Sequence, residues 1–79
     1  MTTTIMPLSR APIGREVSVI AIRCSGLQRR RLSDLGIIIG TKIKALQKSP
    51  YGNPIAYLIR GAVIAVRNED AQKIIVEYK

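Results

Sequence analysis

Leu32-Ser33-Asp34-Leu35-Gly36-Ile37-Ile38-Ile39-Gly40-Thr41 reads as a helix end that turns through two glycines into a strand. Just upstream, Ser25 and Gln28 have the Ser-x-x-Gln spacing of a capping box, in which the hydroxyl accepts from a first-turn amide and the Gln side chain reaches back. The spacing predicts a helix that starts there. Its inner side is expected to carry Leu27, Leu32 and Leu35, with Arg29, Arg30 and Arg31 outside. Gly36 is expected to supply the left-handed residue that stops the helix. The β-branched run Ile37, Ile38, Ile39 is expected to avoid water, and Gly40 to bend the chain into a strand beginning at Thr41.

Outward from this stretch the pattern is one of short strands. Residues 16–23 are rich in β-branched side chains, with Val17, Val19 and Ala21 on one side and Ser18, Ile20 and Ile22 on the other. Residues 41–48 alternate more cleanly: Ile43 and Ala45 share a face, and Lys42 and Lys44 share the opposite one with Leu46. Residues 49–54 hold two prolines, a glycine and an asparagine and read as a loop. Residues 55–60 and 62–67 alternate again around Gly61, which predicts a tight hairpin with Tyr57 facing inward beside Ile55 and Ile59. Asn68 is read as the cap of a brief helical turn that places Glu69 and Asp70 at its positive end, and residues 74–78 as a last strand. At the other end, residues 1–6 are Thr-rich and expected to be loosely held, Leu8 is the first expected core residue, and Ala11, Pro12, Ile13 and Gly14 read as a turn. The expected architecture is a single domain over residues 1–79, mainly β with short helices. About five strands with one helix inserted after the first favour a small closed β-barrel over an open sheet, because closure removes exposed edges.

Composition narrows the chemistry. A chain of 79 residues is near the size at which one hydrophobic core just suffices. It contains no His, so the usual general base and the commonest transition-metal ligand are both missing. The lone Cys24 follows an apolar strand and reads as a structural thiol; it has no cysteine to pair with and suits a reducing compartment. Of the five acids only Glu69 and Asp70 are adjacent, and helix capping accounts for them. No enzyme, cofactor or metal site is expected. No apolar run approaches the ~20 residues that span a bilayer, and the N-terminus lacks the pattern of a secretory signal, so a cytoplasmic protein without membrane insertion is expected.

What remains is charge. Thirteen basic against five acidic residues give a formal +8, which suits an acidic partner. Arg29, Arg30 and Arg31 with Lys42 and Lys44 are read as a patch that steers such a partner, against the plain alternative of a solvated surface. A nucleic-acid-binding barrel is the rival, disfavoured because single-strand binders interleave aromatics and only Tyr51 and Tyr57 are candidates.

Leu32, Asp34, Leu35-Gly36-Ile37, Gly40-Thr41 and the alternating Lys42-Ile43-Lys44 resemble the signature of the FeoA family, ferrous iron transport protein A. Pro50-Tyr51-Gly52-Asn53-Pro54-Ile55, Arg60-Gly61, Ile64-Ala65-Val66-Arg67, Glu69, Ala71 and Ile74 to Val76 follow the family's second half in order. The chain departs in carrying Asn53 where the family commonly has Asp; Asn serves a turn equally well, so the turn is expected to survive without that acid. The resemblance implies an SH3-like barrel with a helical insertion, and a non-enzymatic cytoplasmic accessory that binds and regulates FeoB, the membrane GTPase of ferrous iron uptake. The expected contact residues are Arg29, Arg30, Lys42, Lys44, Tyr51, Asn53 and Pro54. SH3-like domains related to FeoA also occur in metal-dependent repressors, but a metal-responsive regulator fragment is disfavoured because the chain holds no DNA-binding segment.

Overall fold

Side chains that alternate in the sequence alternate between core and solvent in the computed structural model, which describes residues 3–48 and 53–78. The strands are β1 (Thr4–Pro7), β2 (Glu16–Ile22), β3 (Lys42–Lys48), β4 (Ile55–Ile59), β5 (Ala62–Val66) and β6 (Ile74–Tyr78). The helices are α1 (Gly26–Asp34) and α2 (Asn68–Ala71), with a 3-10 turn at Leu8–Arg10. One antiparallel sheet runs in the order β1-β6-β2-β3-β4-β5. Val17, Val19, Ile43, Ile55, Tyr57, Ile59, Ile74 and Val76 line its inner face, all buried, and Leu8, Leu32 and Ile37 fill the space between. Register shifts between Val19 and Ala21, and between Ala45 and Gln47, bend the strands so that the sheet curls around this core. The connection after β1 is tucked in by a parallel bridge from Ile13 to Ala45, with the Gly14 N–H donating to the Ala45 carbonyl at 2.7 Å.

The N-terminus corrects one expectation. Residues 4–6, expected to be loose, form β1 against β6, with Thr4 opposite Tyr78 and Pro7 opposite Ile75. The physical reason is that β6 offers a row of backbone groups that β2 leaves unpaired, and Met6 packs against the core. The helical insertion therefore follows the second strand rather than the first. Closure also differs from expectation. Among the described residues β1 and β5 end the ladder without pairing to each other.

α1 stops as the glycine predicts. Gly36 has φ +90°, its N–H donates to the Ser33 carbonyl at 2.9 Å, and the Ile37 N–H reaches back to the Leu32 carbonyl at 2.9 Å. These two bonds form a Schellman motif, and its apolar pair, Leu32 with Ile37, is fully buried. Leu27 and Leu35 are exposed, against expectation, because the nine-residue helix dips only Leu32 into the core. The capping box is absent too: Ser25 makes no side-chain cap bond, and Gln28 is drawn away to α2. Of the isoleucine run only Ile37 is buried; Ile38 and Ile39 stay exposed while the chain there is pinned through Thr41. The Thr41 hydroxyl accepts from the Ile38 N–H and donates to the Gly36 carbonyl, both at 3.1 Å, and the strand starts one residue later at Lys42.

Replacing Gly36 by Ala tests the stop. An added Cβ meets nothing closer than the Arg60 Cδ at 3.6 Å, so space is adequate and the cost comes from the left-handed backbone. A loss of about 1–2 kcal/mol is expected in urea unfolding.

Candidate functional site

Among the described residues, cations and hollows organise this surface. β3 places Lys42 and Lys44 on its outward face because Ile43 and Ala45 take the inward one. The β4–β5 hairpin adds Arg60. With Arg60 at φ +51° and Gly61 at φ +83°, and Ile59 opposite Ala62, the turn has two residues, both left-handed, as the mirror-image turn of a tight hairpin demands. Lys42, Lys44 and Arg60 thus line one depression of about 360 Å³, together with Glu16, Leu58 and Gly61. Among the described residues none of these three cations is within ion-pair distance of an acid, although Glu16, opposite Lys44 across the ladder, shares the depression with them and leaves it with an excess of positive charge.

Arg29 is elsewhere. Its guanidinium donates to the Ile22 carbonyl at 3.2 Å, tying α1 to the end of β2, and it borders an apolar groove of about 340 Å³ with Ser33, Ile37, Ile38 and Ile39. Arg30 is exposed and lines neither hollow. The patch expected from these arginines and lysines is therefore broken up: Arg29 borders one hollow, Lys42 and Lys44 another, and Arg30 neither.

Asn53 and Pro54 are exposed just before β4. The Asn53 Oδ1 accepts from the Asn68 N–H at 3.0 Å, so the loop residue satisfies the first turn of α2 from outside. This corrects the reading of Asn68 as the cap, a position held by Arg67. Tyr51 lies outside the described residues. Tyr57 is fully buried as expected, and its hydroxyl donates to the Leu8 carbonyl at 3.3 Å.

A third and larger hollow, about 620 Å³, was not anticipated. It opens between α1 and α2, where Gln28 donates to the Asp70 Oδ1 at 2.8 Å and accepts from Lys73 at 3.2 Å. Arg31, Leu35, Ala65 and Arg67 complete its wall. The sequence signal for it was Gln28, a polar residue near a helix start whose partner is distant in the chain. Cys24 is buried as a free thiol, and among the described residues no three His, Cys, Asp or Glu side chains gather as a metal site would need. No helix there is long and apolar enough to cross a membrane. What the surface offers is an excess of positive charge beside apolar area, which suits carboxylates and phosphates through charge-assisted hydrogen bonds.

The family model of the FeoA domain matches residues 6–78. A curated relative, the Fe(2+) transport protein A/Fe(2+) transporter FeoB fusion protein of Porphyromonas gingivalis, is 32% identical over 72 residues. The match takes in 91% of this chain but only 8% of that protein's length. The NMR structure of a FeoA-like protein from Clostridium acetobutylicum superimposes with a TM-score of 0.84 at 37% identity, covering 96% of this chain and 87% of that one. Stenotrophomonas maltophilia FeoA, described as an SH3 domain protein, gives a TM-score of 0.78 at 23% identity, covering 94% of this chain and 96% of that one, a likeness of fold. The SH3-like architecture expected from the sequence is thus met.

Proposed function

This chain belongs to the FeoA family, and from that premise we propose that it is a non-enzymatic, cytoplasmic accessory of ferrous iron uptake that binds and regulates a FeoB-type membrane GTPase. One observation carries the reading: in the Porphyromonas gingivalis relative, a segment like this chain is part of the same polypeptide as the transporter. Covalent joining holds two modules at high effective concentration, which is useful when they act on each other. A free module does the same work by affinity. If it binds one conformation of the GTPase more tightly, it shifts the transporter toward that state by the difference in binding free energy.

The proposed contact residues are Arg29, Arg30, Lys42, Lys44, Tyr51, Asn53 and Pro54. The exposure of both arginines and both lysines supports this, as does the lack of ion pairs at Lys42 and Lys44 among the described residues. Steering by such charges acts mainly on association rate and weakens with salt. The test is capture of the transporter's cytoplasmic portion by the intact protein. Reversing Lys42 and Lys44 to Glu, together with Arg29 and Arg30 to Glu, is expected to weaken capture by about tenfold or more, given the cost of like charges at an interface. Undiminished capture by a variant that keeps its circular dichroism spectrum would remove the charged contact; no capture by the parent protein would remove the partner.

A further inference from the structure

β5 is where the sheet stops. β4 pairs with it on one side, and among the described residues no strand lies on the other, so a row of backbone N–H and C=O groups faces outward. Proteins commonly blunt such an edge with a charge, a proline or a bulge. The opposite edge fits that rule, since β1 has four residues and ends on Pro7. β5 does not. It reads Ala-Val-Ile-Ala-Val, and its register with β4 runs unshifted from Ala62 to Val66. Val63 is 66% exposed.

The surroundings give this edge a chemistry. Glu16, Lys44, Leu58 and Val63 are successive cross-strand partners, so they form one row over the outer face that ends at the free edge. The depression lined by Lys42, Lys44 and Arg60 reaches Gly61, the residue just before β5. At the strand's other end Ala65 and Arg67 enter the larger hollow with Arg31. An uncharged pairing edge thus has the cations of the smaller depression at its Gly61 end, while the hollow at its other end is of mixed charge, with Arg67 paired to Glu69. A second copy of this chain is a poor occupant, because two molecules of formal charge +8 repel.

We propose that β5 accepts an added strand from an acidic, extended segment. Its backbone pairs along Ala62 to Val66, alternate apolar side chains cover Val63, and the carboxylates beyond the paired stretch are held by Lys42, Lys44 and Arg60. Backbone pairing supplies affinity that is indifferent to sequence, and the cations supply the preference for acid. The inference deepens the docking reading above and rests on it only for which partner supplies the strand.

The probe is a synthetic peptide with a Val-Thr-Val-Thr-Val core followed by three glutamates, added to the intact protein. Binding is followed by anisotropy, and the contact is located by residue-resolved amide hydrogen exchange. Protection is expected at β5 and not at β1. Exchanging the glutamates for glutamines, or using the K42E/K44E protein, is expected to weaken binding by about tenfold, and a proline at the centre of the core to abolish it. Equal binding of the proline peptide overturns strand addition, because charge alone would then suffice. So does protection confined to residues outside β5, self-association through β5, or displacement of the peptide by an oligonucleotide that binds more tightly. Should the peptide fail while the transporter domain is still captured, strand addition alone falls. Should the peptide bind as described while the transporter domain is not captured, the site stands and the partner is another protein.

Discussion

Tyr57→Ala is expected to cost about 3–5 kcal/mol, the range of large aromatic truncations in a packed interior. Tyr57 is fully buried at the centre of β4, and it is the largest side chain in the core of a chain that has no Phe or Trp to share the load. Its ring fills space between the sheet and the 3-10 turn, and its hydroxyl donates to the Leu8 carbonyl. Truncation therefore removes apolar contacts and also one of the two hydrogen bonds that the Leu8 carbonyl accepts, leaving it the Ala11 N–H. Tyr57→Phe keeps the ring and loses only the hydroxyl, for which a cost of about 1 kcal/mol is expected. Urea unfolding monitored by circular dichroism separates the two. The expected result is a midpoint shift several times larger for Ala, with the slope unchanged for Phe. Equal, small shifts would mean that the core closes over the gap.

Alkaline unfolding is the second large effect. Burial pushes the Tyr57 phenol from 10.0 up to about 12, because the phenolate would have to shed its hydration. A phenol whose folded value is raised favours the protonated native state, so the unfolded chain releases its proton first as pH rises. The contribution, roughly 2–3 kcal/mol, is fully present below pH about 10 and is progressively lost between about 10 and 12. Stability of the Tyr57→Phe protein lacks this component. The difference between the two pH profiles isolates it from the lysines, which titrate in the same range, and parallel profiles would show that the phenol ionises in place.

How much of this was legible beforehand follows from how local each cause is. Ile55, Tyr57 and Ile59 alternate over a whole strand, and Arg60-Gly61 makes a turn by its own backbone preference, so both were readable. Gly36 was readable for the same reason. β1 was not, because Thr4 to Pro7 has little strand character alone and is a strand only because β6 lies beside it. The capping box failed when Gln28 found Asp70, forty-two positions away, a better-placed partner than its own helix. Asn53 shows the reverse case: a residue read for its turn chemistry and as a contact also holds the start of α2. At the surface, Lys42 and Lys44 were joined correctly by the period of a strand. Arg60 was missed beside them because a hairpin, not a spacing, carries it there. The separation of Arg29 from the lysines depends on the path from Gly36 to Thr41, which no periodicity encodes.

The pairing of Thr4 with Tyr78 has a mechanical consequence. Both extremities of the folded unit emerge along a common seam, so a leash tied to either would swivel the domain about nearly the same pivot. In the strand ladder that seam and β5 are at opposite limits, so neither tether would leave from the strand that carries the unpaired margin.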